Sequence, residues 1–224
     1  MKIEFIVHFL KELEQNNHKE WFASQKKIYE EYKIYYHQLV HFFLDELKPF
    51  DEKLQPLEVK HCTFRINRDI RFSKDKSPYK THLGIWLSQN RMMKNAPGYY
   101  LHISPKETFV AGGLWCPEAP ELQKIRKEIA FFHEDLEQIL QHKTFQKYFK
   151  DLDRPEGQVL KTAPKGFEKD HPALHWLQLK SHTASFPIPT KELFEPKALN
   201  HVVEVMKSLK PLNDFIYRAL ETEE

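Results

Sequence analysis

Positive charge is concentrated between residues 64 and 81, in the stretch FRINRDIRFSKDKSPYKT. Arginine offers a planar fork of donors that matches a phosphate or carboxylate group, and lysine adds a compact point charge. Two acidic side chains, Asp69 and Asp75, accompany the basic ones, which are Arg65, Arg68, Arg71, Lys74, Lys76 and Lys80. This spacing predicts a binding site for an anionic group.

The rest of the chain does not share this excess of positive charge. The 224 residues carry a net charge of +2, yet residues 61–106 contain nine Lys or Arg against two Asp or Glu. A local field of one sign attracts ligands of the opposite sign and says little about the fold. The middle of the chain is therefore the candidate binding surface.

Residue periodicity indicates which elements must position these side chains. Helical spacing predicts a helix around residues 6–13 and a longer one from Asn17, as its N-cap, to about Leu47. From about residue 59 the period changes to two, and no helix pattern interrupts the next fifty residues, so we expect an antiparallel sheet. The predicted strands are residues 61–71, 82–87, 99–103 and 108–115, with a turn at 95–98.

Residues 117–224 are predicted to be helices and loops. A helix starts near Pro120, a last strand or extended segment covers 181–188, and the final helix is interrupted at Pro211. No repeat or linker divides the sequence, so we expect one α+β domain. It would be helical over 1–50, mainly strand over 59–115, and helical with loops over 117–224. Its N- and C-terminal helices would pack on the apolar face of the sheet.

Alternation along the predicted strands assigns side chains to the two faces of this sheet. Matching the apolar sets, such as Leu83 with Leu101, leaves the polar and aromatic sets together on the other face. The second set is His61, Arg65, Asp69, Arg71, His82, Trp86, Tyr100 and His102. A planar or phosphorylated ligand suits such a face, because arginine binds the anion and aromatic rings stack.

We therefore predict that the ligand-binding residues are Arg65, Arg68, Arg71, Lys76, Tyr79, Trp86 and Tyr100. Asp69 would orient the arginines. If the protein is an enzyme, the arginines would stabilise developing negative charge. The candidate acid–base groups are Asp69, His82 and His102, and the sequence does not choose among them.

The central motif, Arg65-x-x-Arg68-Asp69-x-Arg71-Phe72-x-x-Asp75-Lys76-x-x-Tyr79, resembles that of an uncharacterised bacterial family, domain of unknown function 2461. Further matching stretches are NNHKEWF, PGYYLHISP, FVAGGLW and LKTAPKGFEKDHP. The resemblance spans essentially the whole chain, and no defined motif position departs from it. It implies a single full-length domain in which the motif is important, and it transfers no catalytic role.

Two alternatives remain open. Basic residues interleaved with Phe72, Tyr79, Trp86 and Tyr100 are typical of single-stranded nucleic-acid binding, although the sequence pI of about 8.3 lies below the value of about 9 usual for dedicated binders. The other alternative is purely structural, because Arg and Asp on neighbouring strands often form cross-strand ion pairs. The motif would then hold the sheet together.

Other classes of site have little support in the sequence. His171 and His175 have a helical zinc-ligand spacing, but no HExxH motif accompanies them, so we expect no metal. The cysteines, Cys62 and Cys116, form no disulfide framework, and no apolar run is long enough to span a bilayer. We therefore expect a soluble cytoplasmic protein, and the sequence indicates neither a cofactor nor an oligomeric state.

Overall fold

The computed structural model describes residues 2–89 and 96–222. Its α-helices are α1 (Ile3–Gln15), α2 (Lys19–Ser24), α3 (Lys26–Leu47), α4 (Val59–Cys62), α5 (Ala119–Phe131), α6 (His133–Gln141), α7 (Lys143–Gln146), α8 (Leu174–Leu177), α9 (Ala198–Ser208) and α10 (Lys210–Glu221). The strands are β1 (Leu83–Leu87), β2 (Gly98–Ile103), β3 (Thr108–Leu114) and β4 (His182–Pro187). Short 3₁₀ helices cover Glu52–Leu54 and Thr190–Phe194.

The four strands form one antiparallel sheet in the order β1-β2-β3-β4. It lies in the middle of the sequence, between N-terminal and C-terminal helices, so the predicted α+β class is confirmed. Strand parity is also as predicted, since Leu83, Ile85, Leu101 and Ile103 are all buried. The turn predicted at residues 95–98 begins outside the described residues.

The strand predicted over residues 61–71 is wrong. Residues 59–62 form the one-turn helix α4, with His61 in its capping box. The chain then runs without a regular strand to residue 82, and it pairs only through isolated bridges, Thr63 with Ile85 and Asn67 with Tyr79. The alternating apolar and polar residues that predicted a strand belong instead to an irregular extended loop. We call residues 64–80 the basic loop.

The long helix predicted from Asn17 to Leu47 is two helices, separated at Gln25. The N-cap of the first of these helices, α2, is His18 and not Asn17, and the His18 ring accepts a hydrogen bond from the backbone N–H of Trp21. Asn17 is used elsewhere, because its side-chain amide bonds the backbone of Tyr79. The C-terminal end at Leu47 agrees with the prediction.

The chain divides into two compact units. Unit 1 contains residues 1–87, 100–110 and 187–203, and it holds the basic loop. Its core is built by the apolar faces of α1 and α3, which pack on each other, with α3 also contacting β1. Buried residues of this core include Phe9, Leu39, Phe43 and Ile85.

Unit 2 contains residues 88–99, 111–186 and 204–224. Here α10 packs on α5 and α6. Helix α10 is also bonded to β3, where the N–H of Gly113 donates to Asn213 Oδ1 at 2.8 Å. Gly113 has φ +98°, and a Cβ there would meet the carbonyl oxygen of His182 at 2.1 Å, so this position requires glycine.

Pro211 lies in the first turn of α10, where its missing N–H has no helical partner to lose, so the predicted interruption is confirmed. Within the described residues, no helix has the length and apolar character needed to cross a membrane.

Candidate functional site

The basic loop is closed at its base by a short antiparallel pairing. The backbone N–H of Arg68 donates to the carbonyl of Pro78 at 2.9 Å, and that of Lys80 donates to the carbonyl of Ile66 at 2.8 Å. Residues 69–77 therefore form a closed excursion whose two ends lie side by side. This closure decides which basic side chains face inward.

Arg68 faces inward and holds the loop together. Its Nη1 donates to the Asp75 carboxylate and, at 3.0 Å, to the carbonyl oxygen of Ser77, while its Nη2 lies 3.4 Å from Ser73 Oγ. Asp75 also accepts hydrogen bonds from the N–H and hydroxyl of Ser77. The bonds from Ser77, followed by that from Arg68, lower the pKa of Asp75 to about 2. Arg68 thus has a structural use.

Arg71 and Lys76 point outward but have partners inside the loop. Arg71 binds Asp69 through two hydrogen bonds, of 2.9 and 2.6 Å, and these lower the pKa of Asp69. Lys76 Nζ donates to the carbonyl of Ile70 at 3.0 Å. The ion pairs lie within one loop rather than across strands, so the motif includes structural contacts of a local kind.

Tyr79 is part of the core of unit 1. Its ring is 8 % exposed and stacks on Phe22, with ring centroids 4.1 Å apart. Asn17 clamps its backbone from both sides, with its Oδ1 accepting from the Tyr79 N–H and its Nδ2 donating to the carbonyl. The last motif position therefore anchors the loop, and its ring is not available for stacking with a ligand.

A cavity of about 70 Å³ lies beside the loop, within unit 1. Its cationic lining residues are Lys33, Arg65 and Lys80, and its histidines are His37 and His82. Hydroxyl groups come from Tyr29, Tyr32, Tyr36 and Thr63, and the remaining lining residues are Phe64, Ile66, Leu83 and Gly84. Among these described residues there is no Asp or Glu.

The two motif cations in this lining differ in their partners. Lys80 Nζ donates to the Arg65 carbonyl at 2.8 Å and lies over the Phe64 ring. Burial, and then the charge of Arg65, lower the pKa of Lys80. Among the residues that the structure describes, no acceptor binds the guanidinium of Arg65. Arg65 is thus an exposed cation at the cavity whose guanidinium keeps its donors free, although its charge contributes to lowering the pKa of Asp69.

Helix α3 supplies the opposite wall, which sequence reasoning missed. Tyr29, Tyr32 and Tyr36 follow each other at spacings of three and four, so they share one helix face. The Tyr36 hydroxyl donates to the Gly84 carbonyl and accepts from the Phe64 N–H at 3.1 Å, and burial raises its pKa. The helical spacing was a readable signal, but nothing in it identifies β1 as the partner.

An aromatic and imidazole cluster lies behind His82. The His82 and His102 rings stack with centroids 4.6 Å apart, and His102 also stacks on Phe109 at 4.8 Å. The Tyr100 hydroxyl lies 3.1 Å from His102 Nδ1, and the Trp86 ring contacts Tyr100. The structure therefore brings His82, His102, Tyr100 and Trp86 together, as the strand parity predicted.

Burial controls the charge of this cluster. It lowers the pKa of His102 to about 4, with His82 contributing, and it raises the pKa of Tyr100 to about 12. The pKa of His82 is lowered by burial and by Lys80, against an opposing effect of Glu107. The lowered pKa values favour the neutral form of both imidazoles at pH 7, and an anion bound in the cavity would favour protonation of His82, which lines it.

The structure separates the three acid–base candidates. His82 lines the cavity, His102 lies behind it, and Asp69 is outside the lining and bound to Arg71. Gly84 allows Tyr100 to lie close behind the cavity, because a Cβ at this position would approach the Tyr100 hydroxyl to 2.9 Å. Within the described residues, no group of three or more His, Cys, Asp or Glu side chains could hold a metal ion.

A family model described as "Conserved hypothetical protein (DUF2461)" matches residues 6–215, which is most of the chain. The match is to the family that the central motif resembles. Neither curated proteins nor solved structures give a significant match.

Proposed function

The chain belongs to the conserved hypothetical family DUF2461, and we propose that it binds a small anion, a phosphate or carboxylate group, in the cavity beside Arg65. One observation carries this proposal. The described lining contains three cations and two histidines and no carboxylate. Such a wall of one sign attracts an anion, and its low-dielectric surroundings strengthen the attraction.

Arg65 is the residue that we expect to bind the anion most strongly. Its guanidinium has no acceptor among the described residues, so both prongs of its fork are available to two oxygens of a ligand. Lys80 uses one of its three donors on the Arg65 carbonyl, which leaves two. Lys33 contributes less, because Glu30 already lies 2.6 Å from its ammonium group.

The size of the cavity limits the ligand. A cavity needs about 10–15 Å³ to hold one water molecule. A cavity of about 70 Å³ therefore holds a group of a few heavy atoms. A single phosphate or carboxylate group fits, with the rest of any larger ligand outside. We place Trp86 and Tyr100 behind the wall, while Arg68, Lys76 and Tyr79 shape the loop.

His82 is our candidate for a proton-transferring or proton-sensing group, since it lines the cavity. An anion favours its protonated form, so the affinity for an anion should rise as pH falls through the lowered pKa of His82, below about 6.5. Sulfate is a suitable probe, because its charge does not change in this range. A His82→Gln variant should lose this pH dependence and retain binding at neutral pH.

The direct test is calorimetric titration of inorganic phosphate, sulfate and acetate into the protein and into Arg65→Ala. Losing charged hydrogen bonds should weaken binding roughly tenfold or more. Arg154→Ala is the matched control, because Arg154 is an exposed arginine of unit 2 that does not line the cavity. Equal affinities in all three proteins, or no binding of any anion, would refute the site.

A further inference from the structure

A second surface of unit 1 lies at the tip of the basic loop. The N–H of Ser73 donates to the carbonyl of Ile70 at 3.3 Å, which closes a turn with Arg71 and Phe72 at its centre. Phe72 is 96 % exposed, more than any other large apolar side chain among the residues that the structure describes. The Arg71 guanidinium lies 5.9 Å from the Phe72 ring centroid.

Hydrogen bonds within the loop hold the backbone that carries the exposed ring. Arg68 links residues 73, 75 and 77 through its guanidinium, and Lys76 returns to the carbonyl of Ile70, where the turn begins. These contacts fix the backbone on both sides of Phe72 without covering its ring. A large aromatic side chain held in water in this way is available to a partner at little conformational cost.

The charge around the ring indicates the sign of that partner. Arg71 has a side chain that is 76 % exposed and binds Asp69, and Lys74 and Lys76 are exposed as well. Together with Arg68, these cations outnumber the two carboxylates of the loop, Asp69 and Asp75. No residue within the described chain pairs with the Lys74 ammonium group. An anionic partner with planar groups would satisfy both features, because the cations bind its charges while the ring stacks.

We infer that the tip binds single-stranded nucleic acid, with a base stacked on Phe72 and phosphates held by Arg71 and Lys74. Proteins that bind single strands without sequence preference combine backbone-tracking cations with aromatic stacking platforms in this way. An unpaired base is required, since a base inside a duplex presents no free face to the ring. Insertion into an anionic membrane is disfavoured, because Phe72 is flanked by Arg71, Ser73 and Lys74 and offers little apolar area.

The test is fluorescence anisotropy with labelled oligothymidylate and oligoadenylate of about twelve nucleotides. Phe72→Ala should weaken binding roughly fivefold or more, which is the lower end of the range for one stacked base. Phe131→Ala is the matched control, as Phe131 is 79 % exposed and belongs to unit 2. It should bind as the unaltered protein does.

The salt dependence tests the cations separately. Lys74→Ala should reduce the slope of log affinity against log salt concentration by about 0.7, the value for one phosphate contact on a single strand. Lys169→Ala, an exposed lysine of unit 2, should leave the slope unchanged. Arg65→Ala distinguishes this surface from the cavity, since it should weaken the binding of inorganic phosphate roughly tenfold or more. The affinity for oligonucleotides should be retained in Arg65→Ala and should still depend on Phe72.

Three results would overturn the inference. One is the absence of oligonucleotide binding, and another is equal affinity in the protein and in Phe72→Ala. The third is binding to phosphatidylserine vesicles that depends on Phe72 while oligonucleotides are not bound, which would assign the tip to a membrane surface. Circular dichroism of Phe72→Ala should match the unaltered protein, because the ring makes no core contact.

Discussion

The two compact units use arginine in opposite ways. In unit 2, Arg126 is buried and donates to the carbonyls of Leu177 and Leu179, at 2.8 and 3.1 Å. In the same unit, Arg218 binds the buried carboxylate of Glu128 and, at 2.8 Å, that of Asp135. In unit 1, Arg65 has no acceptor among the described residues, and Arg71 has only a surface pair with Asp69.

Burial explains the contrast between Arg126 and Arg65, whereas Arg218 has a side chain that is 48 % exposed and is held by the two carboxylates within its reach. A buried guanidinium must satisfy its donors within the protein, because leaving them unpaired is costly, so it stabilises structure. An exposed one is hydrated and can exchange water for a ligand. Membership of the motif does not decide whether an arginine is available to a ligand. Arg68 belongs to the same motif as Arg65, yet its guanidinium binds Asp75 and the Ser77 carbonyl within the loop.

The largest expected effect is at Arg126. Arg126→Ala should lower the free energy of unfolding by roughly 3 kcal/mol, since two buried carbonyls lose their donors. Arg65→Ala is the control and should leave the stability unchanged within error. Urea denaturation of both variants measures the difference. Equal losses would mean that Arg65 is also structural, and the comparison between the units would fail.

Acid should expose a second difference, at a buried histidine of unit 2. Burial lowers the pKa of His182 to about 4, whereas the unfolded chain titrates near 6.5. The unfolded state therefore binds the proton first, and stability falls as pH drops from about 6.5 to about 4. The loss reaches roughly 3 kcal/mol for this group.

A His182→Gln variant isolates this contribution, because glutamine can still donate to the carbonyl of Trp176, which His182 contacts at 3.2 Å. Unfolding free energies measured across this pH range should depend less steeply on pH in the variant.

Nuclear magnetic resonance signals of the histidine side chains add a second comparison between the units. Phosphate should raise the pKa of His82 in unit 1 and leave that of His182 in unit 2 unaltered. Parallel pH profiles of the protein and the variant would contradict the assignment.

The smallest effects separate two arginines of the same loop. Arg68→Ala should cost about 1–2 kcal/mol, because the Ser77 carbonyl and the Asp75 carboxylate lose a partly buried donor. Arg71→Ala should have no measurable effect on stability, since exposed ion pairs contribute little. Thermal unfolding of the two variants, measured side by side, tests the ranking. The reverse order would mean that the loop is held from its tip.

Much of the architecture was predictable from the sequence, and strand parity was the strongest signal. Alternation identified β1, β2 and β3 within one residue at their ends, and it placed His82 and His102 on one face. The same alternation failed over residues 61–71, because the irregular path of the loop, and not the two faces of a strand, determines which side chains are buried there. Cys62 and Ile66 are buried, while Phe64 and Phe72, which alternation would bury with them, are exposed.

The cavity was not predictable in the same way. Its wall combines tyrosines of α3 with Gly84 and Arg65, and no local pattern joins positions so far apart in the sequence. The sequence analysis selected four of the six cations, Arg65, Arg68, Arg71 and Lys76, as ligand-binding residues and left out Lys80, which lines the cavity. The structure distinguishes them by the acceptors within reach, which depend on how the loop closes and not on spacing.

The bond between Asn17 and Tyr79 has a consequence for the order of assembly. The two residues are 62 positions apart, and the amide of Asn17 acts as a substitute strand by bonding both backbone groups of Tyr79. Closing so long a loop has an entropic cost that local contacts do not recover. We therefore expect the basic loop to reach its final position only after the first helices have docked. Shortening the N-terminus past Asn17 should disturb the proposed anion cavity while removing none of the residues that line it.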